Sequence, residues 1–298
     1  MQYISKKHIK LPKRKKDSKK GDNGSVLVVG GSEHFIGAVA LAGLAALHSG
    51  VDGAHIVAPD KVAWAINCLS ADLVTIKVKG NYFSSKHAKK VINLSKTRNV
   101  LLIGNGIGIE KQTKQFVKDV VNNIKNPKVV DADGIKAISS ADLENSIITP
   151  HKKELEIFMK NSKINQNILE IALNTKDLER KAKLIRKSFQ LLGLKKKKKN
   201  FFENNNVILL KGKVDTIISK ENIYFNKTGN AGMTKGGTGD VLAGLAAGFL
   251  AQNKSLLQSA INAAYFNGLI GDILLKKKKG FTYLASDMVE EIKRVLRN

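Results

Sequence analysis

The chain has 298 residues, 43% of them hydrophobic, which suits one large α/β domain or two small ones. Its 51 Lys and Arg against 25 Asp and Glu leave a formal charge of +26; the basic residues are nearly all lysine, and much of the excess lies in runs at 13–16 (with Lys19 and Lys20), Lys195–Lys199 and Lys276–Lys279. Aromatics make up 6% and none interleave with these runs, so they read as solvated loops and faces, and no specific nucleic-acid partner is expected.

One cysteine, Cys68, excludes an internal disulfide and a cysteine zinc centre, and fits a reducing, cytoplasmic compartment. No apolar run is long enough for a membrane span, and Met1 to Lys20 has no apolar centre of the kind a secretory signal needs. Residues 1–20 are expected to form a basic, partly disordered segment, and residues 21–298 one domain without a linker.

In chain order, Ser25 to Val29 reads as a buried strand ended by Gly30-Gly31, Ile36 to Ser49 as a helix stopped by Gly50, and Ala54 to Ala58 as a second strand. Strand, helix, strand in this order makes a parallel βαβ unit. Gly30, Gly31 and Gly37 lack the spacing of a dinucleotide fingerprint. Leu73 to Val78 reads as a strand and Lys86 to Lys96 as a helix. Asn99 to Ile103 is a strand followed by Gly104-Asn105-Gly106-Ile107-Gly108, where glycines at a strand's C-terminal end mark either a ligand-binding edge or a tight turn.

Lys128 to Val130 ends in Asp131-Ala132-Asp133-Gly134. This acidic pair could hold a hydrated Mg²⁺, order a hydroxyl-bearing substrate, or form a turn and helix cap. Ser146 to Thr149 leads into Pro150-His151-Lys152-Lys153-Glu154, with Thr149 as the expected cap and His151 at a helix start on the strand-end edge. Asp177 to Leu192 has helical periodicity, and Leu194 to Asn206 reads as a mobile loop rich in lysine and asparagine. Val207 to Leu210 is a strand entering Lys211-Gly212-Lys213-Val214-Asp215. Thr216 to Ser219 and Asn222 to Phe225 then suggest a hairpin, and Leu256 to Leu275 and Ser286 to Arg297 read as helices.

The most informative stretch is Gly229 to Gly244. A glycine-dense loop turns into Val-Leu-Ala-Gly-Leu-Ala-Ala-Gly-Phe-Leu, apolar all round, which is the pattern of a buried helix. The glycines therefore sit at a helix N-terminus, where unpaired amides and the helix dipole suit a phosphate or another developing anion. Asp240 stands inside that turn. It is either a helix cap or a base that takes a proton from an attacking hydroxyl. The Lys235-Gly236 order rules out a Walker A loop.

Gly104-Asn105-Gly106, Thr149-Pro150-His151, Lys211-Gly212 and Asn230 to Asp240, in this order, resemble the ribokinase-like, stand-alone ADP-dependent NAD(P)H-hydrate dehydratases from about Lys20 to the C-terminus. The resemblance implies an α/β fold with a central, mostly parallel sheet flanked by helices on both faces. It implies phosphorylation, by ADP or ATP, of the extra ring hydroxyl of hydrated NADH or NADPH. Loss of phosphate then restores the cofactor. Asp240 would be the base, and the amides around Gly237, Thr238 and Gly239 would stabilise the transferring phosphoryl. By motif position, Ala38, Gly106, His151 and Asp240 would contact the hydrated dinucleotide. Lys211, Gly212, Lys213, Val214, Asp215 and Gly239 would contact the adenine nucleotide, and Mg²⁺ would bridge phosphate oxygens without a ligand set from the protein. A homo-oligomer, up to a tetramer, and a separate epimerase are further implications. The alternative is a ribokinase-like kinase of a vitamin precursor or sugar. Two positions depart from the family pattern: Lys19-Lys20-Gly21 stands for His-Lys-Gly, and Ala231 for the proline of Asn-Pro-Gly-Met. Thr238 matches the ADP-using form rather than the ATP-using form with Gln.

Overall fold

The computed structural model describes residues 1–196 and 199–296, without the side chains of 193–196. Lys197 and Lys198, within the loop expected to be mobile, lie outside the described residues. The first half of the chain runs β1 (Gln2–Tyr3), β2 (Ser25–Val29), α1 (Ile36–His48), β3 (Gly53–Pro59), α2 (Asp60–Leu69), β4 (Val74–Val78), α3 (Ala88–Ser95), β5 (Val100–Ile103), α4 (Lys111–Asn123), β6 (Lys128–Val130), α5 (Asp133–Ala137) and β7 (Ser146–Ile148). Then come α6 (Lys152–Asn161), α7 (Gln166–Asn174), α8 (Leu178–Lys196), β8 (Asn206–Leu210), β9 (Asp215–Ile218), β10 (Ile223–Asn226), α9 (Thr238–Asn253), α10 (Leu256–Lys277) and α11 (Ala285–Val295).

All strands join one sheet in the order β1-β10-β9-β8-β7-β6-β5-β2-β3-β4. The run from β4 through β8 is parallel, and β8, β9 and β10 form an antiparallel meander. Side chains alternate across the sheet, as strand geometry requires. Val26, Val28, Leu102, Val129 and Leu209 face a core made with α1, α2, α9, α10 and α11. Leu27, Val29, Leu101, Ile103 and Ile208 face a second core made with α3, α4, α6, α7 and α8. Helices thus cover both faces, which is why the parallel strands read as continuous apolar runs.

The chain leaves β2 toward β3 and β4, then returns to place β5 on the other side of β2. The strand order reverses there, and a crevice opens at the C-terminal strand ends. Helix α9 lies against α1 on this part of the sheet. It can approach because Gly244 and Gly248 have no side chains: a Cβ at Gly244 would run into the Ala42 carbonyl and lie 2.7 Å from the Ala45 Cβ.

Three expectations change. Residues 1–20, read as a basic and partly disordered segment, pack onto the rest of the chain: β1 pairs with β10, Ile4 is buried, Asn262 Nδ2 donates to the Lys10 carbonyl at 2.8 Å, and Arg14 meets Asp52 at 2.7 Å. The loop expected from Leu194 begins as the last turn of α8, and Phe201 and Phe202 after it are buried against Phe189, at centroid distances of 5.0 and 6.2 Å. These two aromatics decide the conformation where the lysine and asparagine composition suggested mobility. Helices α2, α4 and α7 were not anticipated, because their short amphipathic stripes lie among polar residues.

The α1–α9 contact yields a prediction. Gly244→Ala gains roughly 1 kcal/mol of helix propensity. The new methyl meets a backbone carbonyl that cannot turn away, and such overpacking costs about 1–3 kcal/mol. A net drop in the thermal unfolding midpoint is expected; an unchanged or raised midpoint would show that the helices can separate freely.

Candidate active site

The C-terminal strand ends meet the foot of α9. Ladder bonds continue one residue past the strands and align the edge: Gly104 N–H donates to the Val29 carbonyl at 3.1 Å, Asp131 N–H to Ile103 at 3.1 Å, Thr149 N–H to Val130 at 3.2 Å, and Lys211 N–H to Pro150 at 2.8 Å. Asn105, Asp131, Thr149 and Lys211 therefore stand side by side.

Lys211 Nζ lies 2.9 Å from Asp131 Oδ1 and 3.6 Å from Glu154 Oε2, with side-chain exposures of 19%, 2% and 5%. Thr149 Oγ1 donates to Asp131 Oδ1 at 2.7 Å, and Asn105 Nδ2 donates to Asp131 Oδ2 at 2.9 Å. The same Asn105 nitrogen donates to Asp240 Oδ1 at 2.7 Å. Burial alone would lower the Lys211 pKa, but the carboxylates of Asp131 and Glu154 outweigh it and raise it, so Lys211 is a permanent cation. Asp240 moves the other way. Burial, with the nearby Asp131 charge, pushes its carboxyl up to about 7, against the Asn105 hydrogen bond and Lys211. A carboxylate poised near neutrality is suited to accept and release a proton.

The loop before α9 makes the anion-binding half. Gly237 has φ +93°, and a Cβ there would lie 2.7 Å from Ala285 Cβ and 2.8 Å from Leu41 Cδ1. The first helical bond is Val241 N–H to the Gly237 carbonyl at 3.1 Å. The amides of Gly237, Gly239 and Asp240 donate to no acceptor among the described residues. Lys211 Nζ would lie 3.4 Å from a Cβ placed on Gly239, so cation and amides share one space. The Thr238 hydroxyl turns inward, donating to the Met233 and Lys235 carbonyls at 2.7 and 3.0 Å, and so braces the loop.

Ala231, in place of the expected proline, opens a 3₁₀ turn (Ala231–Thr234). The loop is held instead by side chains: Asn230 Oδ1 accepts from Gly232 N–H at 3.0 Å and from the Tyr283 hydroxyl at 2.7 Å. Asp272 accepts from Gly229 N–H at 2.9 Å and from Asn230 Nδ2 at 3.0 Å.

Other residues read from the sequence fall around this centre. A Cβ at Gly106 would lie 2.7 Å from the Phe35 carbonyl and 3.1 Å from Ala38 Cβ, so Gly106 (φ +62°) and Ala38 form one wall. His151, not Thr149, caps α6: its Nδ1 accepts from Lys153 N–H at 3.1 Å and Glu154 N–H at 3.3 Å, leaving Nε2 facing Glu154 Oε1 at 3.3 Å. Gly212 N–H donates to Asp215 Oδ1 at 3.1 Å, Lys213 is exposed, and Val214 packs against the core. Burial pushes the Asp215 carboxyl up to about 6 despite bonds from Gly212 and Asn226.

The acidic pair Asp131 and Asp133 does not act as a pair. Asp131 serves Lys211, Thr149 and Asn105, whereas Asp133 accepts from Gly108 N–H at 3.2 Å and meets Lys136 at 2.7 Å. Between them Ala132 has φ +48° and ψ −122°, a strained conformation for a residue with a Cβ. Among the described residues no group of three or more His, Cys, Asp or Glu could hold a metal ion. Asn105 and Thr149 stood in the quoted motifs and Glu154 at a helix start, all without an assigned role in the site; the placement of Asn105 and Thr149 at the C-terminal ends of the strands flanking β6, with Glu154 in the first turn of the helix that follows, was the signal that could have joined them.

Sheet order and crevice define a ribokinase-like α/β protein. A ribokinase-like superfamily protein of Enterococcus faecalis superposes with a TM-score of 0.79 at 23% identity, covering 99% of this chain and 94% of that one. The chain belongs to the NAD(P)H-hydrate dehydratase family, whose model matches residues 26–294. A bifunctional NAD(P)H-hydrate repair enzyme of Methanocaldococcus jannaschii is 38% identical over 290 residues, covering 96% of this chain and 51% of the relative. The chain thus spans about half the length of that curated relative. An ADP-dependent (S)-NAD(P)H-hydrate dehydratase of Cenarchaeum symbiosum is 32% identical over 291 residues, covering 96% of this chain and 93% of the relative.

Two predictions follow from the charges. Lys211→Met leaves Asp131 and Glu154 buried without their cation, which costs about 3–5 kcal/mol; urea midpoints at neutral pH measure it. For Asp240, the folded carboxyl holds its proton up to about 7 against an ordinary 3.8. Folding stability through this group therefore falls as pH rises from about 4 to about 7. Asp240→Asn is expected to match the parent below pH ~4 and to exceed it above pH ~7 by about 1–3 kcal/mol, a range discounted for the group's partial exposure. Parallel stability curves for the two proteins across that range would contradict the assignment.

Proposed function

We propose that this chain catalyses the ADP-dependent dehydration of hydrated NADH and NADPH, returning the intact cofactors with AMP and phosphate. The observation that carries the reading is the meeting of Asp240, poised near neutrality, with the open amides of Gly237 and Gly239 and the Lys211 cation. Family membership and the likeness to the ADP-dependent (S)-NAD(P)H-hydrate dehydratase of Cenarchaeum symbiosum support it.

In this reading the hydrated nicotinamide ring lies along Ala38 and Gly106, with His151 at the rim. Its ring hydroxyl faces Asp240. The nucleotide lies over Lys211 to Asp215, with its terminal phosphoryl at the foot of α9. Asp240 takes the hydroxyl proton as the oxygen attacks phosphorus, and the bond to AMP breaks. The amides of Gly237 and Gly239, with Lys211, balance the charge that develops on the phosphoryl oxygens. Phosphate then leaves the ring with the C–O bonding pair while a proton is lost from the adjacent ring carbon, and the C–H electron pair becomes the restored double bond. The chain's own carboxylates are engaged by Lys211, Asn105 and Lys136, which fits a Mg²⁺ carried by phosphate oxygens and water.

A dehydratase that takes one epimer needs another activity to supply it, so an epimerase is proposed as a pathway partner. A homo-oligomer, up to a tetramer, and a cytoplasmic setting belong to the same proposal; an exposed free thiol at Cys68 fits a reducing compartment, and no described helix is long and apolar enough to cross a membrane.

The test is to incubate the protein with hydrated NADH, Mg²⁺ and either ADP or ATP and to follow recovery of NADH absorbance. Recovery with release of inorganic phosphate is expected. A stable phosphorylated product would indicate a small-molecule kinase, and no recovery with either nucleotide would overturn the reading. Asp240→Asn is expected to lower turnover about 10²–10⁴-fold with little change in nucleotide affinity.

A further inference from the structure

Asn105 is fully buried between the two carboxylates that matter most to the site. One amide nitrogen reaches both, Asp131 Oδ2 at 2.9 Å and Asp240 Oδ1 at 2.7 Å. The orientation of the amide is dictated by its neighbours, because a flipped group would set its oxygen against two carboxylates. Its backbone is held as well: Gly31 N–H donates to the Asn105 carbonyl at 2.9 Å. Asn105 Oδ1 is buried and accepts from no group among the described residues. A position used only for packing has no reason to keep an amide with an unpaired oxygen.

The other charges facing Asp240 are Asp131 after β6, Lys211 after β8 and Glu154 in α6. Helix α9 has no other charged side chain, and Lys235 before it is turned away, its Nζ donating to the Phe281 and Tyr283 carbonyls. Asn105 is thus the only side-chain hydrogen-bond donor to the Asp240 carboxylate among the described residues.

We propose that Asn105 is a positioning residue that keeps Asp240 an aimed, ionisable carboxylate beside the charge of Asp131. This rests on the reading of Asp240 as the base. With one oxygen held by Asn105, the other is directed to the hydroxyl whose proton it takes. Without the amide, two neighbouring carboxylates repel and Asp240 keeps its proton to higher pH. The direction agrees with the opposing effects of Asn105 and Asp131 on Asp240.

The experiment compares the parent with Asn105→Leu, of similar volume but with no donor, and Asn105→Ser, which keeps one. The pH profile of kcat for hydrated NADH is measured beside the infrared carboxylic-acid band that Asp240→Asn removes. The acidic limb and the infrared midpoint are expected to rise together by about one to two pH units in Asn105→Leu and by less in Asn105→Ser. At neutral pH this is a loss of about five- to fifty-fold that recovers in alkali. Loss of activity with limb and midpoint unmoved would make Asn105 merely structural and overturn the proposal. The infrared midpoint needs no turnover, so it decides the matter even if the parent proves inactive on hydrated NADH. Should Asn105→Leu not fold, the Asn105→Ser midpoint decides alone.

Discussion

Two carboxylates cannot sit side by side at a buried sheet edge without a cation, and here Lys211 is that cation. Asp131 and Glu154 are nearly inaccessible and come from different elements, yet both reach its ammonium group. The arrangement depends on the parallel order of β6, β7 and β8, which sets Asp131, Thr149 and Lys211 in a row. From this row the polarity of the crevice follows. The ammonium side opens toward Gly239 and the free amides of α9, while the carboxylate side reaches Asp240 through Asn105. One end is prepared for negative charge and the other for a proton, within a few side chains.

Much of this was legible in the chain itself. Apolar runs ended by glycine or aspartate located the parallel strands, and the shift from glycine loop to an all-apolar segment located α9 and its N-terminus. Both signals are local and arise from burial on every side. The pairing of Lys211 with Asp131, 80 positions apart, has no local signature. The same is true of Asn105 and Asp240, 135 positions apart, since only sheet order brings them together. The role of His151 as a helix cap was hidden for a different reason: Thr149 and Pro150 offer a familiar helix start two residues earlier, but Thr149 is drawn inward by Asp131. Phe201 and Phe202 show tertiary packing overriding composition, as two rings settle a segment whose neighbours are all polar.

The site also concentrates unfavourable features. Ala132 holds a backbone conformation suited to glycine, and Asp240 and Asp215 are carboxylates whose ionisation burial opposes. Each lowers stability, and each adjoins the crevice rather than lying scattered through the cores. The two cores on either face of the sheet are large and almost wholly apolar, and they supply the stability against which these features stand. Among the described residues most of the lysines are exposed, consistent with solvated faces; Lys211 in the catalytic cluster and Lys128, buried in β6 with its Nζ donating to the Glu144 carbonyl at 2.9 Å, are exceptions.

The pairing of β1 with β10 bears on the order in which the chain assembles. Gln2 and Tyr3 take as partners Tyr224 and Phe225, so β1 has no strand to pair with until those residues have been made. Closing so long a loop adds little entropy cost beyond that of a shorter one, but contacts of such separation form slowly. Strand β1 is therefore the one that waits, and until it docks the outer edge of β10 is open, the kind of surface that invites pairing with another chain. Its eventual cover is two residues long, fastened by Lys227 lying 3.8 Å from the centre of the Tyr3 ring. Strand β1 is thus among the last pieces of the sheet to be put in place, and it covers the margin that β10 would otherwise expose.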